Sequence, residues 1–588
     1  MSLNNVKKQL DLSLLRKVLL LSVPYRALFI NAAVLTVVIA PLAPYRSFLI
    51  QKMVDEHIAK ADITGLTIFG LLVLGILLLE AVLLYFFTWT TNKLGQNVIR
   101  DLRVRVFRHI TSLRLQYFDT NPIGTSTTRT INDLETINTV FSEGIITITA
   151  DILTLILVLI FMLYTSWKLT LVCLITAPFL IIASYIFKEK VKGSFQRVRS
   201  EVARMNAFLQ ERISGMKTIQ IFNAESEELN GFKKINKDLT KANIDGIFYY
   251  AVFFPVVEIL SAAALGLMVW YGAGGVVRGD ITIGVLVVFP VYIAMFFRPI
   301  RMLADKFNTL QMGLVAAERV FRILEDRENL EKTGKLKINN FNGLVEFEKV
   351  SFSYSEGNPV LRDINFTIKP EESLAIVGNT GSGKTTIINL LNRFYEINSG
   401  KIKIDGTDIR EIDLESLRNR IAIVLQDVFL FSGSVLENIT LRNKNISREQ
   451  AIEAAKMIGA HDFIEKLPGG YDYMVMERGA TLSMGQRQLI SFVRALVFDP
   501  DILILDEATS AIDPETEAVI QYAIEKLISK RTSIIIAHRL STIRHATNVM
   551  VLAKGEIIEM GTHTELITNK NGLYKELYEM QFLKQTTA

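Results

Sequence analysis

Residues Gly378-Asn379-Thr380-Gly381-Ser382-Gly383-Lys384-Thr385 match G-x-x-x-x-G-K-[ST] at every fixed position. An apolar run, Ser373 to Val377, precedes them and reads as a buried strand, and Thr386 to Asn392 reads as a helix. Glycines let such a loop wrap phosphates, and the amides at the helix start complete the cradle. Lys384 then reaches the terminal phosphates, and the Thr385 hydroxyl suits Mg²⁺. A second buried strand, Asp501 to Leu505, ends in the carboxylates Asp506 and Glu507. Neighbouring side chains on a strand point opposite ways, which leaves Asp506 to hold a metal and Glu507 to polarise an attacking water. A third strand, Thr532 to Ala537, delivers His538 to the same kind of strand end, where structural and catalytic roles are both open. Ser483 and Gln486 form a capping-box pattern ahead of the helical run Arg487 to Phe498. That helix start exposes amides and a positive dipole end, which suits an anion. The same box at Ser447 and Gln450 has nothing chemical around it and reads as a plain cap.

These motifs lie in the second half of the chain, where from about Gly343 short β-rich runs alternate with helical ones. That alternation predicts an α/β layered domain. The first half is different. Of the 588 residues, half are hydrophobic and 21% charged, and the mean hydropathy is +0.30. The length exceeds what one core usually serves, and 13 prolines with 34 glycines exclude collagen-like and low-complexity chains. A net charge of +5 is too small at this length to argue for nucleic acid. Cys173, the single cysteine, can form no disulfide within the chain.

Six stretches are long and apolar enough to span a bilayer, which takes about 20 helical residues. They run from Ala27 to Ile50, Gly65 to Thr90, Ile145 to Tyr164, Trp167 to Phe187, Ile247 to Tyr271 and Ile281 to Leu303. The long connections Thr91 to Gly144 and Lys188 to Gly246 are rich in Lys and Arg, whereas the alternate ones hold few. The basic bias places both long connections, both termini and everything after Leu303 in the cytoplasm. Leu94 to Leu113 and Gln196 to Ile213 read as helices continuing out of the membrane. Met1 to Arg26 has no cleavage-site pattern and its leucines are interrupted by charge, so it reads as an amphipathic surface helix.

Gly378 to Thr385, Gln426 after the strand Ile421 to Leu425, Leu482 to Gln486, Ile502 to Glu507, Ser510 to Asp513 and His538 follow one another in the order and approximate spacing of an ATP-binding cassette. With six preceding spans, nearly the whole chain resembles a half-size ABC exporter of the multidrug or lipid type. The resemblance implies residues 1–26 as a cytoplasmic elbow helix, 27–318 as a six-span membrane domain, 319–342 as a linker, 343–582 as an α/β P-loop nucleotide-binding domain and 583–588 as a tail. It implies that Tyr354 stacks on adenine, that Gln426 touches Mg²⁺ and senses the membrane domain, and that Glu507 is the general base. It further implies that His538 contacts the γ-phosphate and that Asp513 lies in a loop linking two nucleotide sites. ATP would be sandwiched between Gly378 to Thr386 of one chain and Ser483, Gly485 and Gln486 of another, making the unit a dimer in the bilayer. Short helices at the tips of the long connections, Gln116 to Gly124 and Ser214 to Gln220, would dock on the cassettes.

The sequence departs from the family pattern in two places: Met484 stands where a small residue is usual, and Met476-Glu477-Arg478-Gly479 replaces a loop ending in Gly-Glu-Arg-Gly. A homodimer is favoured over a pairing in which Met484 serves a weaker site with a different subunit. The expected activity is ATP-driven export or flipping of a hydrophobic or amphipathic substrate, and the expected location is a bacterial inner membrane. An ATP-gated channel, an importer's permease with its ATPase fused on, and a regulatory half of a heterodimer are the alternatives. Glu80, Asp151 and Glu258 fall inside spans and hint at cationic amphiphiles, against which Arg298 and Arg301 could pair with them or hold an anionic head, and polar contacts between helices are the plainer reading of the same residues.

Overall fold

The computed structural model describes residues 12–121, 123–326, 334–355, 357–506, 514–537, 540–569 and 571–579. The chain divides into two compact units, Met1–Thr111 with Asn121–Arg327, and Ser112–Thr120 with Glu328–Ala588.

The first unit is helical. Five helical runs among the described residues are long and apolar enough to cross a membrane: Val23–Ile58, Ile63–Thr111, Thr130–Leu174, Glu225–Val277 and Ile283–Leu324. The 49 residues of Ile63–Thr111 and the 53 of Glu225–Val277 far exceed one crossing. None of the apolar window of Ile63–Thr111 is buried inside the chain, and a helix apolar all round requires lipid or another protein against it.

The expected span Trp167 to Phe187 is not one helix. Ser166 is non-helical (φ −161°, ψ 102°) within Ile145–Leu174, and after Ile175 and Thr176 a new helix, Ala177–Ser214, begins with proline in its first turn. Pro178 is tolerated there because first-turn amides need no helical acceptor. The apolar part of this second helix ends at Phe187, before Lys188, so it is too short to meet the span criterion alone. The third span's continuation also differs from a single helix: Ile123–Thr128, Arg129–Asp133, Leu134–Thr139 and Val140–Gly144 alternate between α and π geometry. The two tips of the long connections are short helices, Leu115–Thr120 in the second unit and Met216–Ile221 in the first.

Two of the acids within the spans are paired. Arg46 Nη1 lies 3.1 Å from Glu80 Oε2, close enough for an ion pair though not aligned as a hydrogen bond. Lys306 Nζ donates to Asp151. Asp55, at the end of the first span, accepts from Thr282 Oγ1 (2.6 Å) and from the Gly284 amide (2.7 Å), capping the start of Ile283–Leu324.

The second unit is built on a six-stranded sheet ordered Glu556–Gly561, Asn548–Ala553, Ser373–Val377, Thr532–Ile536, Ile502–Asp506, Ile421–Val424. All neighbours are parallel except the first pair. Ser373–Val377 and Thr532–Ile536 are buried at every position, as parallel strands covered on both faces must be. Leu503, Leu505 and Ile535 enter one core with the helix Met484–Val497, while Ile502, Ile504 and Ile534 enter another with the helix Lys384–Leu391. That second core also takes the antiparallel sheet formed by Leu361–Ile368, Val345–Phe352, Ser399–Ile404 and Thr407–Asp408.

Candidate functional site

Parallel register gathers the chemistry at one sheet edge. Ile376 pairs with Ile536, Ile536 with Asp506, and Leu505 with Val424. The chain therefore leaves adjacent strands at Gly378, at Ala537, at Asp506 and, two residues past Val424, at Gln426. Glu507, Asp513 and His538, which follow these strand ends, lie outside the described residues.

The phosphate-loop pattern forms a turn whose geometry depends on glycine. Gly378 sits at φ +156°, and a Cβ there would fall 2.2 Å from the Leu552 carbonyl; Gly383, at φ +107°, would meet Leu361 at 2.6 Å. Lys384 turns back over the loop, with Nζ donating to the carbonyls of Gly378 (2.7 Å) and Asn379 (3.1 Å). Burial holds its ammonium below the ordinary lysine range, partly opposed by the Asp506 carboxylate. Ser382 Oγ is buried with no hydrogen-bond partner, a cost that an oxyanion at the loop would remove. The loop is thus electropositive and carries an unsatisfied hydroxyl, which fits it to a phosphate.

A cavity of about 510 Å³ opens beside it, lined by Thr380, Gly381, Gly383, Lys384, Thr385 and Thr386 together with Tyr354, Val360, Gln426, Asp506 and Ile536. The three residues expected around a metal, Thr385, Gln426 and Asp506, all face this space. They offer a hydroxyl, an amide and a carboxylate, hard oxygens of the type Mg²⁺ takes beside phosphate oxygens and water. Among the described residues no cluster of three His, Cys, Asp or Glu side chains could hold a metal.

Tyr354 stands at the cavity wall, 43% exposed. Its hydroxyl lies 3.3 Å from Thr386 Oγ1 and accepts from Asn389 Nδ2 at 3.4 Å, and its ring meets Phe352 and Tyr395 edge to face. Asn389 was not evident as a site residue from sequence, although its place three residues after Thr386 puts both on one helix face.

Ser483, Gly485 and Gln486 do not line that cavity. The capping box is closed on itself: Gln486 N donates to Ser483 Oγ (3.2 Å) and Ser483 N to Gln486 Oε1 (3.0 Å). The amides of Met484 and Gly485, the first of their helix, have no helical acceptor. The Met484 side chain lines a separate cavity of about 150 Å³ with Gln426, Asp427, Val428, Arg478, Arg487 and Gln488. Arg487 Nη1 secures the preceding loop through the carbonyls of Gly479 (3.3 Å) and Leu482 (3.0 Å), and Arg478 sits in the left-handed region (φ 57°, ψ 17°). The box at Ser447 and Gln450 has the same bonds.

Two family profiles match the chain: "ABC transporter transmembrane region" over residues 28–300 and "ABC transporter" over residues 361–510. Among curated proteins, an uncharacterised ABC transporter ATP-binding protein of Bacillus subtilis is 42% identical, over 84% of this chain and 81% of its own length. An ATP-dependent lipid A-core flippase of Syntrophus aciditrophicus is 35% identical over 97% of this chain and 95% of its own. A putative multidrug export ATP-binding/permease protein of Staphylococcus aureus is 37% identical over 86% and 87%.

Proposed function

This chain belongs to the ABC transporter family, and we propose that it is an ATP-hydrolysing half-transporter that exports or flips a hydrophobic or amphipathic substrate as a dimer. The observation that carries the reading is the split of the nucleotide machinery. Tyr354, the loop residues Thr380, Gly381 and Gly383 to Thr386, Gln426 and Asp506 converge on one cavity, while Ser483, Gly485 and Gln486 do not line it. A second chain supplying those residues completes a site that one chain leaves half built. Self-complementary pairing is the commonest way to do so, which favours the homodimer.

In this reading Lys384 and the loop amides hold the β- and γ-phosphates and Tyr354 carries the adenine. Thr385, Gln426 and Asp506 would hold Mg²⁺, which when bound neutralises phosphate charge. Glu507 accepts the proton of the attacking water, and His538 holds the γ-phosphate. Positioning and charge stabilisation supply most of the rate in such transfers. ATP draws two cassettes together, the long helices swing, and hydrolysis resets them. The basic long connections support a cytoplasmic cassette, and the bacterial relatives favour the inner membrane.

Substrate selection by membrane acids receives little support: Arg46 neutralises Glu80 and Lys306 neutralises Asp151. Amphiphilicity, rather than positive charge, is the property expected of the cargo. The test is reconstitution into sealed vesicles. ATP-dependent translocation of labelled lipids or drugs without ion conductance supports a pump, and conductance without translocation supports the gated channel.

A further inference from the structure

Gln426 lines a second cavity besides the one at the phosphate loop. This smaller space, about 150 Å³, lies among three segments: the loop after the strand Ile421–Val424, the loop at Arg478, and the start of the helix Met484–Val497. Met484, Arg487 and Gln488 contribute to it from that helix. Their spacing, i, i+3 and i+4, puts them on one helix face.

The lining carries hydrogen-bonding groups without partners. Gln488 is 5% exposed, and its side-chain amide makes no hydrogen bond among the described residues although it lines the cavity. A buried carboxamide in that position bears the desolvation penalty of its polar atoms, and folded proteins leave few such groups. The Arg478 side chain makes neither an ion pair nor a hydrogen bond among the described residues. Arg487 commits only Nη1, to the carbonyls of Gly479 and Leu482. Asp427 is the single acid on the lining; it is exposed and pairs with neither guanidinium. Two guanidiniums at one small cavity repel each other, and an anion held there relieves the repulsion.

We propose that this cavity binds a free inorganic phosphate, held by Arg478, Arg487 and Gln488, at a site separate from the nucleotide cavity. Guanidinium forks match the oxygens of such an anion, and a carboxamide N–H donates to it. The volume is less than a third of the 510 Å³ beside the phosphate loop, which suits a small oxyanion and not a nucleotide. No phosphate-loop residue lines it, and Gln426 is the wall that the two cavities share. Phosphate is the oxyanion that hydrolysis next door releases, so the choice of ligand rests on the proposed ATPase, whereas the site rests on its own lining. The terminal phosphate of a nucleotide carried by another chain has the same chemistry. The two sources differ in whether phosphate and nucleotide bind together.

Equilibrium dialysis of the full-length protein against radiolabelled inorganic phosphate tests this, with binding of a non-hydrolysable ATP analogue measured on the same samples. With analogue saturating the loop, the parent should still bind phosphate. Arg478→Met, at an exposed position, should weaken that binding by about tenfold or more, as loss of a charge-assisted hydrogen bond does. Gln488→Leu, which replaces the amide by an apolar side chain of similar size, should weaken it by about three- to tenfold. In nucleotide-free Lys384→Ala, whose loop is disabled, phosphate should remain bound, and adding Arg478→Met should remove it. The proposal is overturned by an analogue-loaded parent that binds no phosphate, by displacement of phosphate by the analogue, by undiminished affinity in Arg478→Met or in folded Gln488→Leu, or by a nucleotide-free Lys384→Ala that binds none. A parent that fails to bind the analogue would remove the nucleotide reading instead, and the Lys384→Ala arm would still decide the phosphate site.

Discussion

Lys384 bonds two carbonyls of its own loop, in an environment that already disfavours its charge. An arriving phosphate gives that ammonium a stronger partner, so Lys384→Ala should weaken ATP binding by about 10- to 100-fold, the loss of a hydrogen bond to a charged group; fluorescent-nucleotide titration measures it. Glu507→Gln belongs to the chemical step instead. An amide keeps the shape and cannot take a proton, so binding should persist while steady-state hydrolysis falls by about 10²- to 10⁴-fold. Near wild-type turnover would remove the base from Glu507. In the membrane the sensitive pair is Asp151 and Lys306, each about one-fifth exposed. Lys306→Met leaves a carboxylate without its partner and should destabilise the fold by about 3–5 kcal/mol, read as a lower unfolding temperature, whereas adding Asp151→Asn should recover much of the loss.

At the scale of elements, two helix starts provide a matched comparison. Ser447 and Ser483 both close capping boxes with a glutamine three residues on. Removing either hydroxyl should cost about 1 kcal/mol of stability, but only Ser483→Ala should also lower ATPase activity, since only that helix start is proposed to meet nucleotide. Equal activity in the two variants would reduce Ser483 to a cap. Spacing made the phosphate loop legible in the sequence, because its turn, glycines and following helix are encoded within a dozen residues. Buried strands ending in Asp506 and Ala537 were legible from unbroken apolar runs, and parallel register then placed their ends together. The break at Ile175 and Thr176 was legible only in part: Pro178 marks a restart, but mean hydropathy over Trp167 to Phe187 conceals it. The hydrogen bond from Tyr395 to Asp119 was not legible at all, since the two are 276 positions apart and no local pattern encodes a contact at that distance.

For the whole molecule, the apolar helix Ile63–Thr111 has none of its spanning stretch buried in the chain, and the cavity beside the phosphate loop is not lined by Ser483, Gly485 or Gln486; the working unit proposed above adds lipid and a second copy. The central claim is that each ATP site takes its phosphate loop from one chain and its helix-start amides from the other. Complementation between two defective chains tests this most directly. A chain carrying Lys384→Ala retains a sound Ser483 to Gln486 segment, and a chain carrying Gly485→Asp, which sets a carboxylate against the incoming phosphate, retains a sound phosphate loop. Each should be nearly inactive by itself, as both of its homodimer sites are damaged. Co-expressed and purified through two different tags, the mixed dimer contains one site made of two sound halves, and it should trap nucleotide with vanadate and hydrolyse ATP well above either variant alone. A mixed dimer that forms but traps no more nucleotide than its parents would contradict the shared site.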